Sequence, residues 1–76
     1  MTWKEKIRFV GMYWYIVESN IDNVKVKVGI EHGRCEYGIG KTLDEAIGDA
    51  ARGLSIDWHS VERKFTEHEW EKMAHQ

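Results

Sequence analysis

The chain has 76 residues, of which 42% are hydrophobic and 32% are charged, and its formal net charge is -2. This length predicts a single domain spanning residues 1–76 with one modest core, and the apolar runs are too short and too charged to cross a bilayer. Residues 1–10 lack the apolar segment of a secretory signal. Cys35 is the single cysteine, which excludes an internal disulfide and fits a reducing compartment. We therefore expect a cytoplasmic protein that has no membrane partner.

The charge is unevenly distributed along the chain. Residues 1–41 hold seven Lys and Arg against five Asp and Glu, a net +2, whereas residues 42–76 hold four against eight, a net -4. An acidic second half favours a basic protein surface over nucleic acid as its partner. A solvated acidic face without a partner is the alternative.

The first predicted element is a short helix from Trp3 to about Phe9. Thr2 followed three residues later by Glu5 is a capping box, the signature of a helix start. Ile7 and Phe9 suit a strand equally well, so an extension of the first strand is the alternative.

Two strands follow this helix. Residues 12–17 are rich in aromatic and β-branched side chains, and both faces of this strand are apolar, so either the Trp14 face or the Tyr13 face lies inward. The run from Val24 to Ile30 alternates apolar and other residues without a break, which is typical of a strand with one buried face. This run is the predicted centre of the sheet.

The third strand runs from Cys35 to Ile39, after a tight turn at His32 and Gly33 in which Gly33 supplies any positive φ. Alternation places Cys35, Tyr37 and Ile39 together on the buried face. Short connections between the three strands predict an antiparallel meander.

The second predicted helix runs from Leu43 to about Leu54, after a capping box at Thr42 and Glu45. Its apolar residues form one stripe at helical spacing, and the small alanines in that stripe allow the helix to lie close to the sheet.

A third helix is predicted from Trp58, capped by Ser55 or Asp57. Trp70 and Met73 fall about 100° out of phase with the apolar residues of its first turns. The helix therefore either breaks near Thr66, where a third capping box lies, or has a wide apolar face. We favour the break, followed by a short terminal helix over residues 67–74.

Together these elements predict an α+β fold of order α-β-β-β-α-α, with the helices packed on one face of the three-stranded meander. The predicted core comprises Trp14, Ile16, Val24, Val26, Val28, Ile30, Tyr37, Ile39, Leu43, Ile47, Ala50, Leu54, Val61 and Phe65.

No pattern indicates catalysis, a metal site or a cofactor. The four histidines lack the i, i+4 spacing of a helical zinc site. The stretch from Gly38 to Thr42 superficially suggests a phosphate loop, but it lacks the Walker spacing. We expect a protein that is not an enzyme.

Two surfaces are candidates for binding. The first consists of carboxylates on the predicted helices: Asp44, Glu45, Asp49, Glu62, Glu67, Glu69 and Glu71. The second is the outer sheet face, where aromatic and basic residues suit single-stranded nucleic acid or a protein interface: Tyr13, Tyr15, Lys25, Lys27 and Arg34. An ordinary solvated sheet face, with lysine stems covering tyrosine rings, is the alternative there.

The element order from Thr2 to Leu54 and the residues from Gly38 to Ser55 resemble a double-stranded-RNA-binding domain. That family places lysines at the start of its last helix to bind phosphates, whereas this chain has Asp44 and Glu45 there, which should repel them. The stretch from Gly40 to Ala46 also resembles HicB-type antitoxins, which implies an antitoxin-like partner of a small toxin.

In general character, without a shared motif, the chain resembles phage-encoded inhibitors of the anti-CRISPR type. This resemblance implies a non-enzymatic protein that occupies a surface of a bacterial host protein or protein–nucleic-acid complex, here with carboxylates that imitate phosphates. A small nucleic-acid-binding module is the alternative. A homodimer through an edge strand or Trp70 is also open.

Overall fold

The computed structural model describes residues 2–74, and its order of elements is the predicted one. Helix α1 covers Trp3–Phe9, strands β1, β2 and β3 cover Tyr13–Ser19, Val24–Gly29 and Cys35–Gly40, and helices α2 and α3 cover Leu43–Arg52 and Trp58–Ala74. The strands form one antiparallel sheet of order β1-β2-β3. The α+β fold is therefore confirmed. None of the helices within residues 2–74 is long and apolar enough to cross a bilayer.

Local hydrogen bonds explain where α1 and α2 begin. The Thr2 hydroxyl accepts from the backbone N–H of Glu5 at 3.1 Å, and the Thr42 hydroxyl accepts from that of Glu45 at 3.2 Å. Both capping boxes therefore start helices, and residues 3–9 are helical rather than an extension of β1. Asp57 starts α3, since its carboxylate accepts from the backbone N–H of Ser60 at 3.2 Å.

The core lies between the sheet and α2, with α1 closing one side. Its fully buried side chains include Ile7, Val26, Val28 and Ile47. Trp14 packs against this cluster, so the Trp14 face of β1 is the inward one. Buried alanines complete the helix side of the core: Ala46, Ala50 and Ala51.

The predicted orientation of β3 is wrong. Gly38 pairs with the inward-facing Val26, whereas Tyr37 pairs with Lys27 on the outer face. A Cβ on Gly38 would meet the backbone of α2 at Ala46 and Ala50, so only glycine permits this close approach of helix and strand. Tyr37 and Ile39 are consequently 54% and 53% exposed instead of buried.

Two further core predictions fail for different reasons. Ile16 faces the helix side but is 49% exposed, because α2 packs mainly on β2 and β3 while the short helix α1 packs on β1. Ile30 is 43% exposed because β2 ends at Gly29, and Ile30 starts the turn, where its carbonyl accepts from the Gly33 N–H. The positive φ in this turn, 61°, belongs to His32 and not to Gly33.

The predicted break in the last helix is also wrong, because α3 is continuous through Thr66. The Thr66 hydroxyl donates to the carbonyl of Glu62 at 2.9 Å, one turn earlier. This bond lies inside a helix, so the third capping box does not start one.

Candidate binding surfaces

The carboxylates of α2 mostly serve the fold. Oδ1 of Asp44 accepts from the backbone N–H groups of Trp3 at 2.8 Å and Lys4 at 3.3 Å, and so caps α1. Asp49 accepts from the N–H of Ile39 at 3.0 Å, on the free edge of β3. The remaining carboxylate, Glu45, accepts from the N–H of Lys41 at 3.1 Å within its capping box.

Glu62 on α3 is held by an ion pair. Its carboxylate lies 2.5 Å from Nζ of Lys6, whose side chain is only 9% exposed. The hydrogen bond and the positive charge of Lys6 lower the pKa of Glu62 below its usual 4.5. Four of the seven predicted acidic residues are therefore engaged within the fold.

The other three carboxylates, Glu67, Glu69 and Glu71, lie on the C-terminal part of α3. We call residues 66–74 the acidic arm. Contact between α1 and α3 includes Phe9 with Phe65, whose rings are 5.4 Å apart, and Phe9 with His68 at 6.0 Å. Most of the arm lies beyond this contact.

Two large apolar side chains of the acidic arm are unburied. Trp70 is 68% exposed and Met73 is 66% exposed. They are three residues apart, and therefore neighbours on one helix surface. The sequence signal for this patch was the helical position of Trp70 and Met73, which is out of phase with the apolar residues of the first turns of α3. This difference reflects an uncovered apolar face rather than a break in the helix.

The second surface is the outer face of the sheet, and four of its five predicted residues share it. Tyr13 and Tyr15 lie two residues apart on β1 with nearly parallel rings, 6.2 Å between centroids and 12° between planes. On β2, Lys27 lies opposite Tyr15, and Lys25 follows two residues away on the same face, opposite Glu18. We call this surface, completed by Tyr37 of β3, the tyrosine–lysine face.

Each lysine of the tyrosine–lysine face contacts tyrosine. Nζ of Lys25 lies 5.4 Å from the ring centroid of Tyr37, and Nζ of Lys27 lies 5.9 Å from Tyr15 and 5.8 Å from Tyr37. A hydrogen bond to the Tyr15 hydroxyl raises the pKa of Lys27 above its usual 10.5. Lys27 therefore stays charged at every physiological pH.

The fifth predicted residue of this surface, Arg34, lies elsewhere. Its guanidinium is 3.4 Å from the hydroxyl of Ser55, after α2, and 3.9 Å from the carboxylate of Glu36. Glu36 itself pairs with the inward-facing Val28. Tyr37 is the β3 residue that lies on the outer face, opposite Lys27. Gly38 fixes this orientation of β3, because it lies against α2.

A shallow cleft of about 370 Å³ lies where α1, α2 and α3 meet. Its cations are already engaged, since Nζ of Lys6 lies 4.1 Å and the guanidinium of Arg52 lies 5.8 Å from the ring centroid of Trp3. The indole N–H of Trp58 donates to the carbonyl of Ala51 at 3.0 Å. These contacts join the three helices.

Within residues 2–74, no three His, Cys, Asp or Glu side chains are grouped as metal ligands, and His75 lies outside the described residues. Cys35 is a free, half-buried thiol on the outer sheet face. Comparison of the chain with protein-family models, curated proteins and solved structures gives no match. The two surfaces are therefore the basis for assigning a function.

Proposed function

We propose that this protein is a non-enzymatic, protein-binding inhibitor whose contact surface is the acidic arm. The observation that carries this proposal is the exposure of Trp70 and Met73 on the arm, in contrast to α2, which buries its apolar stripe. Trp and Met are enriched at protein interfaces, and a buried Trp is a common source of binding energy.

The charge of the arm specifies the partner. Glu67, Glu69 and Glu71 flank the apolar patch, and Lys72 is the arm's basic residue. An amphipathic helix of this kind fits a groove that has an apolar floor and basic walls. Grooves with basic walls are typical of proteins that bind nucleic acid, where glutamates along a helix imitate phosphates.

The biological setting that we propose is inhibition of a bacterial defence complex, such as a CRISPR effector, by a phage-derived protein acting in the host cytoplasm. Occupation of a nucleic-acid groove requires binding alone and no catalytic group. The aromatic contacts of α3 with α1 are at Phe65 and His68, so the part of the arm beyond His68 can enter such a groove while the sheet stays outside it.

The test measures target-DNA binding by a purified, guide-loaded effector complex in the presence of the full chain. We expect inhibition, and we expect the double variant Trp70→Ala, Met73→Ala to weaken it at least about 30-fold, the effect of losing one interface hot spot of about 2 kcal/mol. Ile21→Ala is the matched control, because Ile21 is an apolar residue that is 99% exposed in the β1–β2 turn. Equal inhibition by both variants would exclude the arm as the contact.

Charge reversal tests separately whether the glutamates of the acidic arm contribute to binding. Glu67→Lys with Glu71→Lys should abolish inhibition, whereas Asp22→Lys with Glu31→Lys, which makes the same charge change in two exposed turns, should not. Reversal at Asp44 is unsuitable, because its carboxylate caps α1. If no effector is inhibited, the full chain can be used to capture bacterial proteins. Capture that depends on Trp70 would support the arm as the contact surface but exclude a defence complex as the target.

A further inference from the structure

The structure has a second surface that the proposed inhibitor contact does not use, the tyrosine–lysine face. We propose that this face binds single-stranded nucleic acid, with bases stacked on the tyrosine rings and phosphates bound by Lys25 and Lys27. The proposal is independent of the acidic arm, since it rests on different residues on the other side of the sheet from the helices.

The first support is the exposure and order of the rings. Tyr15 is 49% exposed and Tyr37 is 54% exposed, and they lie on either side of Lys27, on the two strands that flank β2. Tyr13, half-buried, continues the row with its ring nearly parallel to that of Tyr15. Every base has a π-face, so a row of tyrosines offers stacking that is independent of sequence.

The second support is charge. Two ammonium groups lie among three aromatic rings in the middle of the sheet. Lys25 lies opposite Glu18 of β1, whereas the neighbours of Lys27 across both strands are Tyr15 and Tyr37. The Nζ atoms lie between 5.4 and 5.9 Å from the ring centroids, so a phosphate that binds a lysine brings its base within reach of a ring. This alternation of cations and aromatic rings fits the alternation of phosphates and bases in a single strand.

The edges of the sheet disfavour an extended peptide as the occupant. A peptide that adds a strand needs a free row of backbone groups. On β3 the Asp49 carboxylate occupies the N–H of Ile39, and on β1 a bulge between Ile16 and Glu18 interrupts the row. The open face, rather than an edge, is the available surface.

A duplex is disfavoured by the shape and charge of the molecule. Stacking needs unpaired bases, and the first turn of α2 carries Asp44 and Glu45, whose charge repels phosphates. We therefore expect weak, salt-dependent binding to single strands and weaker binding to duplexes.

The experiment is fluorescence anisotropy of labelled 12-nucleotide oligo-U and oligo-dT, with a duplex of equal length, titrated with the full chain at several salt concentrations. Dissociation constants of about 1–100 µM at low salt are expected. Two bound phosphates predict a slope of about -1.4 for log K against log salt. Lys27→Ala should reduce this slope by about half.

Tyr15→Ala and Tyr37→Ala should each weaken binding about 5- to 150-fold, the loss of one stacked base, with unchanged circular dichroism. Lys64→Ala is the matched control for charge, because Lys64 is an exposed lysine of α3, away from the sheet. It should leave the affinity unchanged.

Three outcomes would overturn the proposal. The first is no binding to any single strand at low salt. The second is tighter binding to the duplex than to either single strand. The third is equal weakening by Lys27→Ala and Lys64→Ala, which would show general electrostatic attraction. If the face instead retained a host protein and no oligonucleotide, the occupant would be a protein and the proposal wrong.

Discussion

Gly38 offers the most direct test of the fold, because it is where β3 and α2 come closest. In Gly38→Ala the new methyl group would lie 2.8 Å from Cβ of Ala50 and against the backbone of Ala46 and Ala50. Ordinary carbon contacts are about 3.5–4.0 Å, so strand and helix must separate by about 1 Å. A gap of this size forfeits about a quarter to a half of the dispersion energy of the affected contacts.

This separation acts on the centre of the core, since Val26 and Val28 lie on the strand beside Gly38. Overpacking typically costs about 1–3 kcal/mol, and backbone atoms yield less than side chains, so we expect a loss of about 2–4 kcal/mol. For 76 residues the whole free energy of unfolding is about 4–11 kcal/mol. The variant should therefore unfold at much lower urea concentration.

The assay is urea unfolding followed by tryptophan fluorescence and circular dichroism. Gly53→Ala is the matched control, because Gly53 has φ -74° and ψ -16° at the end of α2, a conformation that alanine adopts readily. A Cβ there would lie 3.2 Å from Cγ of Glu36 and 3.3 Å from the carbonyl oxygen of Ala50. This crowding is much milder than that at Gly38, so stability should change by less than about 1 kcal/mol in either direction. A Gly38→Ala variant within 0.5 kcal/mol of the unmodified protein would refute the close contact of β3 with α2.

Two further predictions concern carboxylates that the fold uses. Asp44→Ala should lower the free energy of unfolding by about 0.5–2 kcal/mol, the usual effect of losing a helix cap, whereas Glu71→Ala on the acidic arm should leave it unchanged; equal urea midpoints would contradict the capping role. Lys6 lowers the pKa of Glu62, so the stability from this pair is present above the usual carboxyl pKa of 4.5 and is lost as the pH falls through the lower folded value. Glu62→Gln should remove that acid-dependent part of the unfolding curve, and an unchanged pH profile would contradict it.

The parts of the fold that were predictable depend on local patterns. The period of two in Val24–Gly29 predicts the central strand, and the capping boxes at Thr2 and Thr42 predict two helix starts, because each involves residues within one turn or one strand. The third box failed because the Thr66 hydroxyl has a second local partner, the Glu62 carbonyl. The spacing of threonine and glutamate is the same in the two boxes that start helices and in the one that does not, so the sequence alone does not separate them.

The parts that were not predictable depend on distant residues. Nothing next to Asp44 in the sequence shows that it caps a helix 41 residues earlier, so it was assigned to a binding surface. Likewise, nothing next to Gly38 in the sequence shows that its missing side chain makes room for α2. The position of Gly38 against α2 decides which face of β3 is buried. Tyr37, the next residue, therefore belongs to the tyrosine–lysine face.

The bonds from Asp44 to Trp3 and Lys4 also have a consequence for the order of folding. Helix α1 has seven residues, too few to persist alone in water. Its first turn is therefore fully capped only when the carboxylate of Asp44, 41 residues further along the chain, is in place. We expect the sheet and α2 to assemble first by short-range steps, and α1 to pack its Ile7 side chain into the core afterwards. In hydrogen exchange the amides of Trp3 and Lys4 should then open together, before those of β2.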